Sequence, residues 1–193
     1  MNLDFIFPTP VWWEDIGIDN KEVQKYCYLQ KDKDPTGRKL SNRGGWQSQD
    51  LPLERDLKFL VDHIIDSCSI AMSHYGFHNT KLIFGNSWIN ISSGSDTNNC
   101  HNHQGSFLSG VYYVKVNENS GHINFYRDFN QSFITSSYAP VVHRTPLTRD
   151  VVAYTPKVGR LIVFPSNLVH EVTSSIDDED RISISFNMGI VNT

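Results

Sequence analysis

The sequence predicts a mainly β domain, a sandwich or jelly roll standing on N-terminal helices, and three observations carry that prediction. The 193 residues are the size of one ordinary domain with its own core. Up to Gly76, apolar residues recur at the three- and four-residue spacing of a helix face. Beyond Gly76, short runs rich in Ile, Val, Phe, Tyr and Ser alternate with clusters of Gly, Asn, Asp and Pro, the pattern of a sheet without intervening helices. No Gly/Ser-rich linker and no internal repeat interrupts the chain, so it reads as a single domain over 1–193, with helical support in 1–80 and a β core in 81–193.

Taken in order, Asp19 followed by Glu22 makes a capping-box-like start for a helix through about Lys31, ended by the turn Asp34-Pro35-Thr36-Gly37. From Leu53 the stripe Leu57, Leu60, Val61, Ile64, Ile65, Cys68, Ala71, Met72 and Tyr75 predicts one continuous helix that stops at Gly76. Strands are expected near Leu82–Ser92, Phe107–Val116, His122–Tyr126, Val151–Tyr154, Arg160–Phe164, His170–Thr173 and Arg181–Ile190. Between Arg127 and Arg149, with Pro140 and Pro146 and few apolar side chains, a long loop or hairpin excursion is expected, either a substrate lid or a plain solvated loop.

Composition narrows the function. Hydrophobic residues at 39% rule out wholesale disorder. The net charge is -4, and no run of five or six like charges occurs, which disfavours a non-specific grip on nucleic acid. Cys27, Cys68 and Cys100 are odd in number and unpaired in sequence, giving neither a disulfide framework nor a structural zinc site. With an acid at Asp4 and prolines at 8 and 10, the start lacks the form of a signal peptide, and no window is apolar enough to span a membrane. A cytoplasmic protein is expected, or one in the host cytoplasm if viral, with no nucleic-acid or membrane partner. Its substrate is expected to be a small molecule or a peptide, and a homodimer is left open. Phosphate-binding loops, nucleophile elbows and the paired-histidine zinc motif are all missing.

Histidine remains. His101 and His103 are two apart, and on an extended strand such residues point to one face, where both can reach one metal. A second segment runs from Gly159 through Pro165 and Asn167 to His170. It resembles the second metal-binding segment of double-stranded β-helix, cupin-like proteins, with Asn167 in a glycine's place, a residue that tolerates a left-handed backbone. A third segment alternates polar Arg181, Ser183, Ser185 and Asn187 with apolar Ile182, Ile184 and Phe186. Arginine's planar fork and a nearby hydroxyl suit a distal carboxylate, whereas an exposed strand face would show the same alternation. Of the four tryptophans, Trp12, Trp13 and Trp46 are expected to be mostly structural, with Trp46 the one most apt to line a site.

Together, H-x-H, a distal His and R-x-S resemble the 2-oxoglutarate and Fe(II)-dependent oxygenases. With Phe7-Pro8-Thr9-Pro10-Val11, Gly45-Trp46-Gln47-Ser48 and Leu108-Ser109-Gly110-Val111-Tyr112-Tyr113 added, the chain is similar over nearly its whole length to a group of oxygenases from bacteria and phages of marine bacteria. The resemblance implies a double-stranded β-helix using Fe(II), 2-oxoglutarate and O2 to hydroxylate a substrate C–H, peptidyl or prolyl by analogy, with release of succinate and CO2. It further implies that His101 and His170 bind iron, that Arg181 and Ser183 bind the distal carboxylate, and that Tyr113 offers it a hydroxyl. Asn90 and Asn187 are further pocket candidates, Asn90 equally suited to a turn or sheet edge.

The superfamily carries Asp or Glu where this chain has His103, which leaves the site one charge more positive. Three arrangements compete. His101, His103 and His170 all bind iron, the first choice; or His103 takes the first-histidine role, with Gly105 leaving the carboxylate position to water or chloride; or Asp96 folds back to supply an oxygen. Glu171 would face the other side of its strand. Ligand histidines must be neutral, so metal affinity is expected to fall below about pH 6.5, the ordinary imidazole pKa. The rival functions are a metal-binding cupin acting as a dioxygenase, isomerase or small-molecule binder without the keto acid, and a non-enzymatic jelly-roll protein.

Overall fold

The computed structural model describes residues 1–4, 6–77, 79–128 and 143–192. The expected excursion between Arg127 and Arg149 therefore lies largely outside the described residues. Three helices come early: α1 (Asn20–Lys33), α2 (Leu53–Asp56) and α3 (Lys58–Ser73). Asp19 caps α1 as expected, its carboxylate accepting from the Lys21 N–H at 3.0 Å. The single helix expected from Leu53 is instead two, broken at Leu57, where φ is -131°. Apolar spacing could not report this break, because Leu53, Leu57, Leu60, Val61 and Ile64 stay buried on both sides of it.

Among the described residues, eleven strands follow or interleave: β1 (Trp12–Asp15), β2 (Asn42–Arg43), β3 (Trp46–Gln47), β4 (Thr80–Ser92), β5 (Thr97–His101), β6 (Leu108–Lys115), β7 (Ile123–Tyr126), β8 (Val151–Tyr154), β9 (Arg160–Pro165), β10 (His170–Val172) and β11 (Arg181–Asn192). The seven expected strands are all present within a few residues of their expected ends. Missing from the expectation are β1, β2, β3 and β5, which are short or polar and carry no apolar alternation.

The strands form two antiparallel sheets, β1-β9-β6-β11-β4-β3 and β2-β5-β10-β7-β8. Alternation in the central strands gives the larger sheet two apolar faces. Tyr112, Val114, Leu161, Val163, Ile182, Ile184 and Phe186 pack with Leu60, Val61 and Ile64 of α3. On the opposite face, Val111, Tyr113, Ile162 and Phe164 pack with Ile123 and Phe125 of the smaller sheet. The polar face of β11 is thus turned inward between the sheets. Gly110 of β6, buried opposite Phe186 of β11, tolerates no side chain, since a Cβ there would run into the Phe186 ring and come within 2.7 Å of the Ile162 carbonyl.

Candidate active site

Strand pairing brings the histidines together. His101 at the end of β5 and His170 at the start of β10 are direct partners across the smaller sheet. His103 lies beyond the end of β5, so the two residues do not share an extended strand as expected; its backbone N–H is held instead by the Ser166 carbonyl at 2.8 Å. The turn before His170 is closed by the Leu168 N–H on the Pro165 carbonyl at 2.9 Å, and Asn167 has no left-handed backbone. One potential ligand atom from each of the three imidazoles lies within 4.8 Å of the others.

The hydrogen bonds fix two tautomers. Nδ1 of His101 is 2.6 Å from the Asn99 carbonyl and Nδ1 of His170 is 2.9 Å from the Leu168 carbonyl. A carbonyl only accepts, so each Nδ1 carries the proton and each Nε2 keeps a lone pair, the arrangement of a metal-binding imidazole held by a backbone partner. Burial pushes the pKa of His170 down to about 3 and that of His103 to about 4, and depresses His101 as well; the neighbouring rings add to the effect at His103 and His170. All three rings are therefore neutral donors at neutral pH.

No Asp or Glu belongs to this cluster among the described residues. Asp96 closes its own turn, its carboxylate accepting from the Ser93 N–H at 2.9 Å. Glu171 is turned away and accepts from the Tyr126 hydroxyl at 2.5 Å and the Asn124 amide at 3.1 Å. Gly105 sits in the turn after His103 with φ +89°.

The three histidines line one recess with Arg181, Ser183, Tyr113 and Asn90. Register explains the grouping: Ser183 of β11 lies between Tyr113 of β6 and Asn90 of β4. Asn90 is therefore inside the sheet and not at an edge. Arg181 is 2% exposed; its Nη1 donates to the Gly121 carbonyl at 3.2 Å, while its buried Nε has no protein partner. Asn90 donates through Nδ2 to Ser185 Oγ at 3.1 Å and leaves a buried Oδ1 unpartnered. Burial raises the Tyr113 hydroxyl to about 12, so it remains a donor. A buried guanidinium with a free N–H, beside hydroxyls and facing three neutral imidazoles, can hold a cation at one end and an acid's carboxylate at the other.

Asn187 shares the polar face of β11 but lines a neighbouring recess, bonded to Ser109 at 2.6 Å and Asn86 at 2.9 Å. Trp88, which no local pattern marks, stands beside His103 with ring centroids 5.6 Å apart. Trp46, expected to be mostly structural although the most apt of its group to line a site, packs in the core and donates to the Asp34 carbonyl at 2.7 Å.

A family model described as "Putative 2OG-Fe(II) oxygenase" matches residues 86–187, a span that holds all three histidines, Arg181 and Ser183. The fold is similar to that of a prolyl-4-hydroxylase from Pseudomonas putida, with a TM-score of 0.64 at 12% identity over 94% of this chain and 93% of that one. It is similar also to a prolyl hydroxylase from Trichoplax adhaerens, solved with a hypoxia inducible factor peptide fragment, with a TM-score of 0.67 at 16% identity over 93% and 83%. A viral collagen prolyl hydroxylase from Paramecium Bursaria Chlorella virus-1, in complex with 2OG, has a TM-score of 0.58 at 14% identity over 92% and 94%. These likenesses establish the double-stranded β-helix. A comparison with curated proteins finds no match.

Proposed function

This chain belongs to the 2OG-Fe(II) oxygenase family matched over residues 86–187, and on that premise we propose that it hydroxylates a C–H bond of a small-molecule or peptide substrate. The observation that carries the proposal is the convergence of three neutral imidazoles and a buried arginine in one recess. Its cofactors are iron and 2-oxoglutarate, which when bound supply O2 activation and oxidative decarboxylation to succinate and CO2.

The chain's own residues have separate tasks. His101, His103 and His170 hold the iron, an arrangement supported by the membership of His101 in the cluster and by the lack of a carboxylate there. Arg181 receives the distal carboxylate through the N–H that has no protein partner, and Ser183 and Tyr113 add hydroxyl donors. Asn90 is an acceptor at the same wall. Arginine keeps its charge despite burial, so Arg181 supplies a positive end that is offset when the keto acid enters. Ile123, Phe164 and Val172 line the recess and limit water. No side chain has to act as general base.

The test is succinate release from 2-oxoglutarate by iron-loaded protein in air without added substrate, read by mass spectrometry. Wild type is expected to release succinate slowly, and His170→Ala and Arg181→Leu are expected to release none. Equal release from all three, or none from wild type with no keto acid bound, would overturn the proposal.

A further inference from the structure

We propose that the recess adjoining the histidines is the substrate site and that it selects a neutral substrate bearing an amide group; the inference rests on reading the histidines as the metal ligands. This second recess, about 890 Å³ including its open mouth, shares Ser41, Trp88, His101 and His103 with the first. A molecule seated in it therefore lies against the same two imidazoles, whereas Arg181 lines the first recess and not this one. Its remaining wall comes from the segment between α1 and α2 (Arg38, Leu40, Gln47), from β4 and β11 (Asn86, Asn187) and from the end of β5 (Asn99, Cys100, Asn102).

Carboxamides are the commonest groups of the wall. Among the described residues no Asp or Glu lines it, and five carboxamides do. Carboxamides both donate and accept and carry no charge, so they match a ligand of the same kind better than a cation or an apolar body. Asn86 and Asn187 are already bonded to each other. Two other residues are incomplete. Gln47 is 2% exposed and its Oε1 has no partner. Arg38 is fixed by Asp50 at 2.6 Å and lies over the Trp88 ring at 5.8 Å, yet its buried Nε has no partner either.

These two side chains rise from neighbouring backbone, because the Arg38 N–H donates to the Gln47 carbonyl at 2.8 Å. The group that completes both accepts at Arg38 and donates at Gln47, as the C=O and N–H of one amide do. An unmade hydrogen bond inside a protein is costly, so a ligand supplying both partners is favoured over one supplying neither. A cationic substrate would also meet the iron, whose charge three neutral imidazoles do not offset and the keto acid's carboxylate offsets only in part.

The experiment measures probe relaxation on protein loaded with Mn(II) in place of iron and with 2-oxoglutarate, so that the probes stay unreacted and their protons relax faster near the metal. The probes are a blocked tripeptide amide, benzamide, methyl glucoside and spermidine. Enhanced relaxation is expected for the tripeptide amide, and for benzamide as well if a free carboxamide suffices. Gln47→Met and Arg38→Lys are each expected to weaken amide binding about tenfold or more with metal and keto-acid binding retained. Tighter binding of the glucoside or spermidine, or unchanged amide binding in both variants, overturns the inference. If the metal and 2-oxoglutarate themselves do not bind, the proposed function fails, and saturation transfer from metal-free protein to the same probes still decides on the recess.

Discussion

Individual side chains carry the most direct tests. Arg181 reaches the recess from the first position of β11 and is not part of the histidine cluster. Arg181→Leu is therefore expected to abolish 2-oxoglutarate binding while sparing metal, as read by calorimetry; loss of both with the fold intact would contradict the assignment. His170→Ala is expected to remove metal binding altogether, and His103→Ala to weaken it severely if all three imidazoles are ligands. Burial also revises the pH behaviour read from the sequence. With His103 lowered to about 4 and His170 to about 3, the rings stay unprotonated well below the ordinary imidazole pKa near 6.5. Metal affinity is thus expected to persist through pH 6 and to collapse only toward pH 4. A midpoint near 6.5 would show that the rings are more solvated than the structure has them.

At the level of elements, β11 explains why part of the site was legible in the sequence. Its strict alternation from Arg181 to Phe186 is a property of any strand, so which residues share a face could be read without coordinates. That this polar face is buried depends on the smaller sheet standing opposite, which no local pattern states. His101 and His170 were legible for their spacing and context; their pairing across β5 and β10 was not, because β5 is Asn-rich and lacks apolar alternation. Arg38, Gln47 and Trp88 were invisible as site residues, since their role depends on short strands and on a loop that folds back over the sheet. Gly121 offers its carbonyl to Arg181, and a Cβ on it would run into the Thr173 carbonyl and come within 2.7 Å of that of Ser174. Gly121→Ala is expected to destabilise the fold by about 1–3 kcal/mol and to weaken 2-oxoglutarate binding, both read by thermal shift with and without the keto acid. Wild-type behaviour in both would remove Gly121 from the positioning of Arg181.

For the molecule as a whole, the site lies between two sheets, one of them backed by α3, so its rigidity is that of the core. Leu60 and Ile64 are fully buried under the larger sheet, and truncating either to Ala is expected to cost about 2–5 kcal/mol without changing the ratio of metal to keto acid bound. The buried histidines also couple stability to pH. Their folded pKa values lie below the unfolded value near 6.5, so the unfolded chain binds more protons across that window. Metal-free protein is then expected to lose stability as pH falls from about 6.5 toward 4, and saturating metal to raise its melting temperature at neutral pH. No helix among the described residues is long and apolar enough to cross a membrane. The proposed function brings iron and 2-oxoglutarate together in one recess between the three histidines and Arg181. Its most direct test is anaerobic titration of metal-free protein with Fe(II) and then 2-oxoglutarate, following the visible charge-transfer band of a keto acid chelated to iron. A band that needs both ligands and is lost in Arg181→Leu is the expected result; iron binding with no band on adding 2-oxoglutarate would contradict it.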